Sequence, residues 1–285
     1  MRLCAVVALA ACGKSHEPRA LDKQAAAGVF EEVPITAPHG MSDLSIDDRG
    51  VMWAIAERDR KVLELELGKP PIVYGLEGVA AGIDTEGIAW LADGRFAIST
   101  EGAEEATAAI MFAELDRQRL IVTRTRQITS AELGVTITEN HGIESICGKG
   151  DDVLAASESV GKLPDGTRYS ALAWLRDDKL SITKVRLTSD KGKISALHCG
   201  FAIDGSVQVT AIERHYSVSR ILEFTVKRDD VEVTPTVALD LAPILRDSLN
   251  LEGIVRLPDG RLVAINDNQG KAARGPTQLL VFAKR

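Results

Sequence analysis

Ser42, Glu86, Glu144, Ser195 and Glu252 are the residues whose types and spacing could do chemistry in this chain. Each stands two places ahead of an apolar residue (Leu44, Ile88, Ile146, Leu197 and Ile254) in a recurring unit. If equivalent positions of that unit surround one axis, three carboxylates and two hydroxyls converge on a point. Such a group repels itself unless neutralised, and its oxygen donors suit a hard divalent cation. Calcium tolerates irregular oxygen coordination better than magnesium. The five residues are therefore expected to ligate Ca2+.

A second group follows at offsets of 15, 15, 14, 18 and 15 residues: Glu57-Arg58, Thr100-Glu101, Ser157-Glu158, Glu213-Arg214 and Asn266-Asp267. A hairpin returns its second strand to the face where the first began, so this group should border the first. Glu57, Glu101, Glu158 and Glu213 are candidate general bases, and Arg58, Arg60 and Arg214 could hold an anionic substrate. The arginines could equally neutralise the acids around them. His141, close before Glu144, is a candidate proton shuttle or supporting partner. His198 is expected to pack within a strand and His215 to lie in an exposed loop. A single acid at a strand end is ordinarily just solvated; its return in every copy favours a site.

The unit that carries these residues is clearest in DTEGIAWLADGRFAISTE (84–101) and NLEGIVRLPDGRLVAINDN (250–268). Each is an apolar strand, an Asp-Gly turn and a second apolar strand, a strong hairpin signal. Weaker copies begin at Ser42, Glu144 and Ser195. Third strands are expected at 61–67, 109–115, 171–176, 220–226 and 278–283, and fourth strands at 72–74, 120–127, 180–187 and 231–239. The last copy lacks a fourth strand, which residues 30–35 can supply from the other end. Four-stranded repeats of this length predict an all-β, five-bladed β-propeller closed by an N-terminal strand, with six blades as the alternative.

Of the 285 residues 45% are hydrophobic but only 4% aromatic, so the core must be built from Val, Ile, Leu and Ala. That scarcity argues against an aromatic nucleic-acid platform, and a net charge of −7 argues against a phosphate-backbone partner. The apolar stretch 3–11 is too short to span a bilayer and reads as a signal peptide, covering 1–11. Residues 9–12, Leu-Ala-Ala-Cys, resemble the lipobox of bacterial lipoproteins. That resemblance implies a lipid on Cys12, a tether over 12–28, the propeller over 29–285, and attachment to the bacterial cell envelope. Cys147 and Cys199 then remain in the mature fold and are expected to be unpaired core thiols.

The two clear copies resemble the phytase-like esterase family of β-propellers, across nearly all of 40–285. The resemblance implies hydrolysis of phosphoric or carboxylic esters. The order Ser42, Glu86, Glu144, Ser195, Glu252 also resembles the axial calcium ligands of apyrase-type, calcium-activated nucleotidases. Their basic nucleotide loop has no counterpart in residues 159–168 (SVGKLPDGTR), and their Asp-Asp-Arg segment is altered to Ala-Glu-Arg-Asp-Arg at 56–60. The resemblance thus implies the metal site and not nucleotide hydrolysis.

Two functions follow. One is a metal-dependent hydrolase of a small anionic or ester substrate; the other is a non-catalytic cell-surface binding module with a structural calcium. The sequence contains no nucleophile elbow, Walker loop or dinucleotide fingerprint, which disfavours those classes.

Overall fold

A computed structural model of the chain describes residues 28–101, 107–139, 141–215, 217–245, 249–269 and 275–284. The expected signal peptide and Cys12 lie outside the described residues. The first strand, β1 (Phe30–Pro34), is set aside by the chain for its far end. Antiparallel meanders follow: β2 (Met41–Ile46), β3 (Met52–Ala56), β4 (Lys61–Leu65) and β5 (Ile72–Glu77); then β6 (Thr85–Ala92), β7 (Arg95–Thr100), β8 (Thr107–Asp116) and β9 (Arg119–Thr129). A short helix, α1 (Ser130–Leu133), is capped by Thr129 and Glu132 in a reciprocal capping box.

The next meander is β10 (Ile143–Lys149), β11 (Asp152–Lys162), β12 (Arg168–Arg176) and β13 (Lys179–Arg186). After it come β14 (Lys193–Phe201), β15 (Val207–His215) and β16 (Val218–Val226), then β17 (Glu232–Val233) and β18 (Thr236–Asp240). The continuous strand expected over 231–239 is divided. β17 pairs with β13 of the preceding sheet, whereas β18 pairs with β16. Pro235 lies between them and has no N–H to give to a ladder.

The last run is β19 (Asn250–Arg256), β20 (Leu262–Asp267) and β21 (Gln278–Phe282). Here β1 returns as the outer strand, antiparallel to β21, with Phe30 opposite Phe282. The leading strands β2, β6, β10, β14 and β19 pack side by side in cyclic order, and β19 closes against β2. This is a β-propeller type of fold, all-β apart from α1 among the described residues.

Apolar side chains fill each gap between neighbouring sheets, so the core is a set of wedges around the axis. Four of the aromatics meet in one wedge. Trp53 lies 5.2 Å from Tyr74, 5.0 Å from Phe96 and 6.1 Å from Trp90, measured between ring centroids. Where β19 lies against β2 the backbones leave no room for a side chain. A Cβ on Gly253 would sit 2.4 Å from the Leu44 nitrogen. The Gly after Glu86 and after Glu252 is therefore a demand of strand approach. In the tight turn between β6 and β7, Asp93 and Gly94 both take positive φ, 50° and 75°, as the Asp-Gly signal requires.

Cys147 and Cys199, expected to be free thiols, form a disulfide with Cα atoms 5.7 Å apart. Packing of β10 against β14 brings together residues 52 apart in sequence. Each cysteine belongs to a different sheet, so strand periodicity says nothing of their meeting.

Candidate axial site

Every leading strand carries an irregularity at the same place. Pairing skips one residue between Met41 and Asp43, Thr85 and Gly87, Ile143 and Ser145, Ile194 and Ala196, and Leu251 and Gly253. The residues passed over are Ser42, Glu86, Glu144, Ser195 and Glu252. Each is thus the extra residue of a β-bulge, a device that re-aims one side chain without ending the strand. All five side chains are buried, although three of them are carboxylates.

The hydroxyls link strands. Ser42 Oγ donates to the Thr85 carbonyl at 3.1 Å and Ser195 Oγ to the Leu251 carbonyl at 2.9 Å. The carboxylates fall into two environments. Glu144 Oε1 accepts from Lys193 Nζ at 2.9 Å and lies 3.4 Å from Arg214 Nη2. Glu252 Oε1 accepts from the same Arg214 nitrogen at 2.5 Å and from Asn250 Nδ2 at 2.6 Å. Among the described residues Glu86 has no such cation: its Oε1 is buried and meets no hydrogen-bond donor.

Electrostatics follow this division. Burial pushes Glu86 well above the usual carboxyl range, and Glu144, Glu101, Glu57 and Glu252 add to the shift. Burial also raises Glu252, to about 8, against the pull of Arg214. Burial acts on Glu144 in the same sense, but Lys193 and Arg214 overcome it and hold the group below its ordinary value. Mutual influence among these acids means that they share one neighbourhood on the axis.

The second group is brought only partly to that neighbourhood. Glu57 receives Gln269 Nε2 at 2.8 Å and Arg58 Nη2 at 2.8 Å; Arg58 Nε also reaches Asp84 at 3.1 Å. Glu57 and Glu101 are each pushed up to about 7, by burial first. For Glu57 the nearby Asp84 and Asp267 add to the rise, whereas for Glu101 it is Glu158 and Glu144. Glu158 bonds Lys193 through Oε1, while its Oε2 is buried with no partner. Glu213 turns elsewhere: it is fully buried and accepts from the Thr188 and Ser189 backbone N–H groups at 2.9 and 3.0 Å. There it closes the loop that leads into β14. His141 is exposed, with Nδ1 3.1 Å from the Glu139 carbonyl.

Lys193 is the residue that sequence reasoning missed. It stands two places before Ser195, where the other copies have Gly40, Asp84, Gly142 and Asn250. A cation at a position otherwise small or polar was the available signal. Together Lys193 and Arg214 put two positive charges on one side of the axis, where β14 and β15 pair them in register. Among the described residues no group of three His, Cys, Asp or Glu side chains is gathered tightly enough to hold a metal ion. The donors near Glu86 nonetheless have the right chemistry for a hard cation, with one carboxylate oxygen unsatisfied.

The family described as Phytase-like, esterase-like activity of phytase, matches residues 36–270. The chain belongs to the phytase-like family. The axial acids of this phytase-like chain all lie within the matched span. No curated protein matches it. Among solved structures it is similar to a thermostable family-43 glycoside hydrolase, with 10% identity, 87% of this chain and 90% of the other covered, and a TM-score of 0.51. It is also similar to the PQQ-bound aldose sugar dehydrogenase of Streptomyces coelicolor, with 10% identity, coverage of 90% and 98%, and a TM-score of 0.49. At such identity the likeness concerns the fold alone.

Proposed function

We propose that this phytase-like chain is an ester hydrolase whose reacting centre is the axial carboxylate cluster, built on five blades and served by one Ca2+. The observation that carries the reading is Glu86 Oε1, a buried carboxylate oxygen with no donor, surrounded by further acids. A divalent cation is the partner that such an oxygen lacks. Glu86, Glu144 and Glu252 would hold it, together with the hydroxyl oxygens of Ser42 and Ser195. Bound there, the ion would supply polarisation of a phosphoryl or carbonyl oxygen and a more acidic water nearby.

The chain's own residues do the rest. Glu101 and Glu57 are the candidate bases for the attacking water, and Arg58 fixes Glu57 by their mutual bond. The water oxygen bonds to phosphorus or acyl carbon, the bond to the ester oxygen breaks, and the departing alcohol takes up the proton. The same reading has the chain exported and held to the cell envelope through a lipid on Cys12, supported by the sequence at 9–12.

Turnover of aryl phosphates, aryl esters and nucleotides with and without Ca2+ tests it. Expected is Ca2+-dependent ester hydrolysis that falls at least 100-fold in Glu101→Gln. One observation favours a second reading, a non-catalytic binding module whose axial acids are structural: Lys193 and Arg214 already neutralise Glu144 and Glu252. No turnover of any ester, with or without Ca2+, would select it.

A further inference from the structure

We propose that a polar cleft between the β14–β16 sheet and β19 binds a neutral saccharide unit. The site lies towards the ends of β14 and β19 away from Ser195 and Glu252, so it stands apart from the axial cluster and from the hydrolase reading.

Register shows how the cleft arises. In the sheets on either side, the rows that face the next sheet at this level are apolar: Cys147–Leu154–Trp174 and Val255–Val263–Val281. The equivalent row on β14, β15 and β16 is His198–Thr210–Glu223, followed by Gly200–Gln208–Thr225. Apolar packing against β19 therefore stops short, and a cavity of about 670 Å3 remains. Arg256, the last residue of β19, forms the far wall and donates to Glu223 at 2.8 Å and to Thr210 Oγ1 at 3.3 Å. The divided outer strand opens the side: β18 pairs with β16 only as far as Glu223, which leaves Thr225 exposed at the mouth.

Charge and hydrogen bonding identify the occupant. Glu223 is engaged by Arg256, so the two leave the cleft without net charge. An anion would meet Glu223, and a cation would meet Arg256. Among the described residues the side chains of His198, Gln208 and Thr225 make no hydrogen bond of their own. Burial, with Arg256 nearby, lowers the His198 pKa to about 4, so near neutral pH its imidazole is uncharged and offers one donor and one acceptor. Gln208 brings an amide N–H2 and a carbonyl, and the Thr225 hydroxyl both donates and accepts. Uncharged groups that do both match the neighbouring hydroxyls of a sugar ring, each of which also does both. An apolar ligand would strip water from these side chains and return no hydrogen bond. Gly200 leaves the space open: a Cβ there would meet nothing nearer than the Gln208 carbonyl oxygen at 3.8 Å.

The test uses the full chain with D-glucose, D-galactose, D-mannose and maltose as probes, followed by backbone amide NMR shifts. At least one sugar should saturate with a Kd on the order of millimolar, moving the amides of Gly200, Gln208 and Thr225. Gln208→Ala and Thr225→Val should each weaken that binding at least fivefold. Both alter exposed side chains, so the melting temperature should stay that of wild type. Gly200→Leu fills the cavity without removing a hydrogen-bonding side chain and should abolish binding. Glucuronate should bind no tighter than glucose, because the charge of Arg256 is already matched. Absence of binding by all four sugars, or affinity unchanged in the three variants, would overturn the site. Glucuronate held at least tenfold tighter than glucose would also overturn it, by making the cleft an anion site.

Discussion

The Ser145 hydroxyl donates to Asp43 Oδ2 at 3.0 Å, across 102 residues of sequence. The same Asp43 oxygen accepts from the backbone N–H groups of Ile88 at 3.2 Å and Ile146 at 3.3 Å. Ser145 Oγ in turn accepts from Leu197 N at 2.9 Å. One fully buried carboxylate on β2 thus gathers β6 and β10, and through Ser145 reaches β14.

Asp43→Asn should be strongly destabilising, because the carboxamide turns an N–H2 toward donors that need an acceptor. A loss of about 2–4 kcal/mol is expected, the scale for a buried polar group left mispaired. Urea unfolding should give a lower midpoint at an unchanged slope.

Calcium should raise the melting temperature of wild type and chelator should lower it, whereas Glu86→Gln should respond to neither. At 100 times Kd the gain is about 2.7 kcal/mol. Identical melting of wild type in both conditions would remove the axial cation from the account.

Lys193→Met leaves Glu144 and Glu158 without their shared ammonium. In chelator the variant should lose about 3–5 kcal/mol, the cost of stranding buried charge. Added Ca2+ should recover most of that loss. Melting with and without the ion reads both effects.

Burial, aided by Arg256, lowers the His198 pKa to about 4. The folded state therefore resists protonation that the unfolded chain accepts near 6.5. Above 6.5 the stabilising contribution is complete, and it is lost as pH falls from 6.5 towards 4. His198→Gln should flatten that part of the stability profile, as measured by urea midpoints across pH.

Replacing Cys147 and Cys199 by Ala should cost up to about 4 kcal/mol, the loop-closure expectation for a 52-residue separation. Thiol titration under denaturing conditions should find these two cysteines only after reduction.

Much of the fold is legible in the sequence because its signals are local. The Asp93-Gly94 turn and alternating apolar residues specify a hairpin between neighbours in the chain. Even the β1–β21 pairing follows, since the last repeat is one strand short. The axial order Ser42, Glu86, Glu144, Ser195, Glu252 is likewise a matter of spacing. That each is a bulge residue is not legible, because a bulge belongs to the register between two strands and not to either one. Glu213 illustrates the limit: it shares a position with Glu101 and Glu158, yet the loop at Thr188 and Ser189 supplies donors that turn it aside. Lys193 and the Cys147–Cys199 bridge depend on contacts between sheets, which no periodicity within one strand encodes.

The pairing of β1 with β21 also bears on how the molecule is made. Phe30 stacks edge-on against Phe282 at 5.6 Å, and these partners are 252 residues apart in the chain, so one leaves the ribosome long before the other. Local meanders can form as they emerge, but the ring cannot lock until β21 has been made. Contacts of such long range come late and slowly. Until then β21's edge and the wedge around Leu280 stay open, so deletion of residues 28–35 should leave a permanently sticky rim prone to joining other copies.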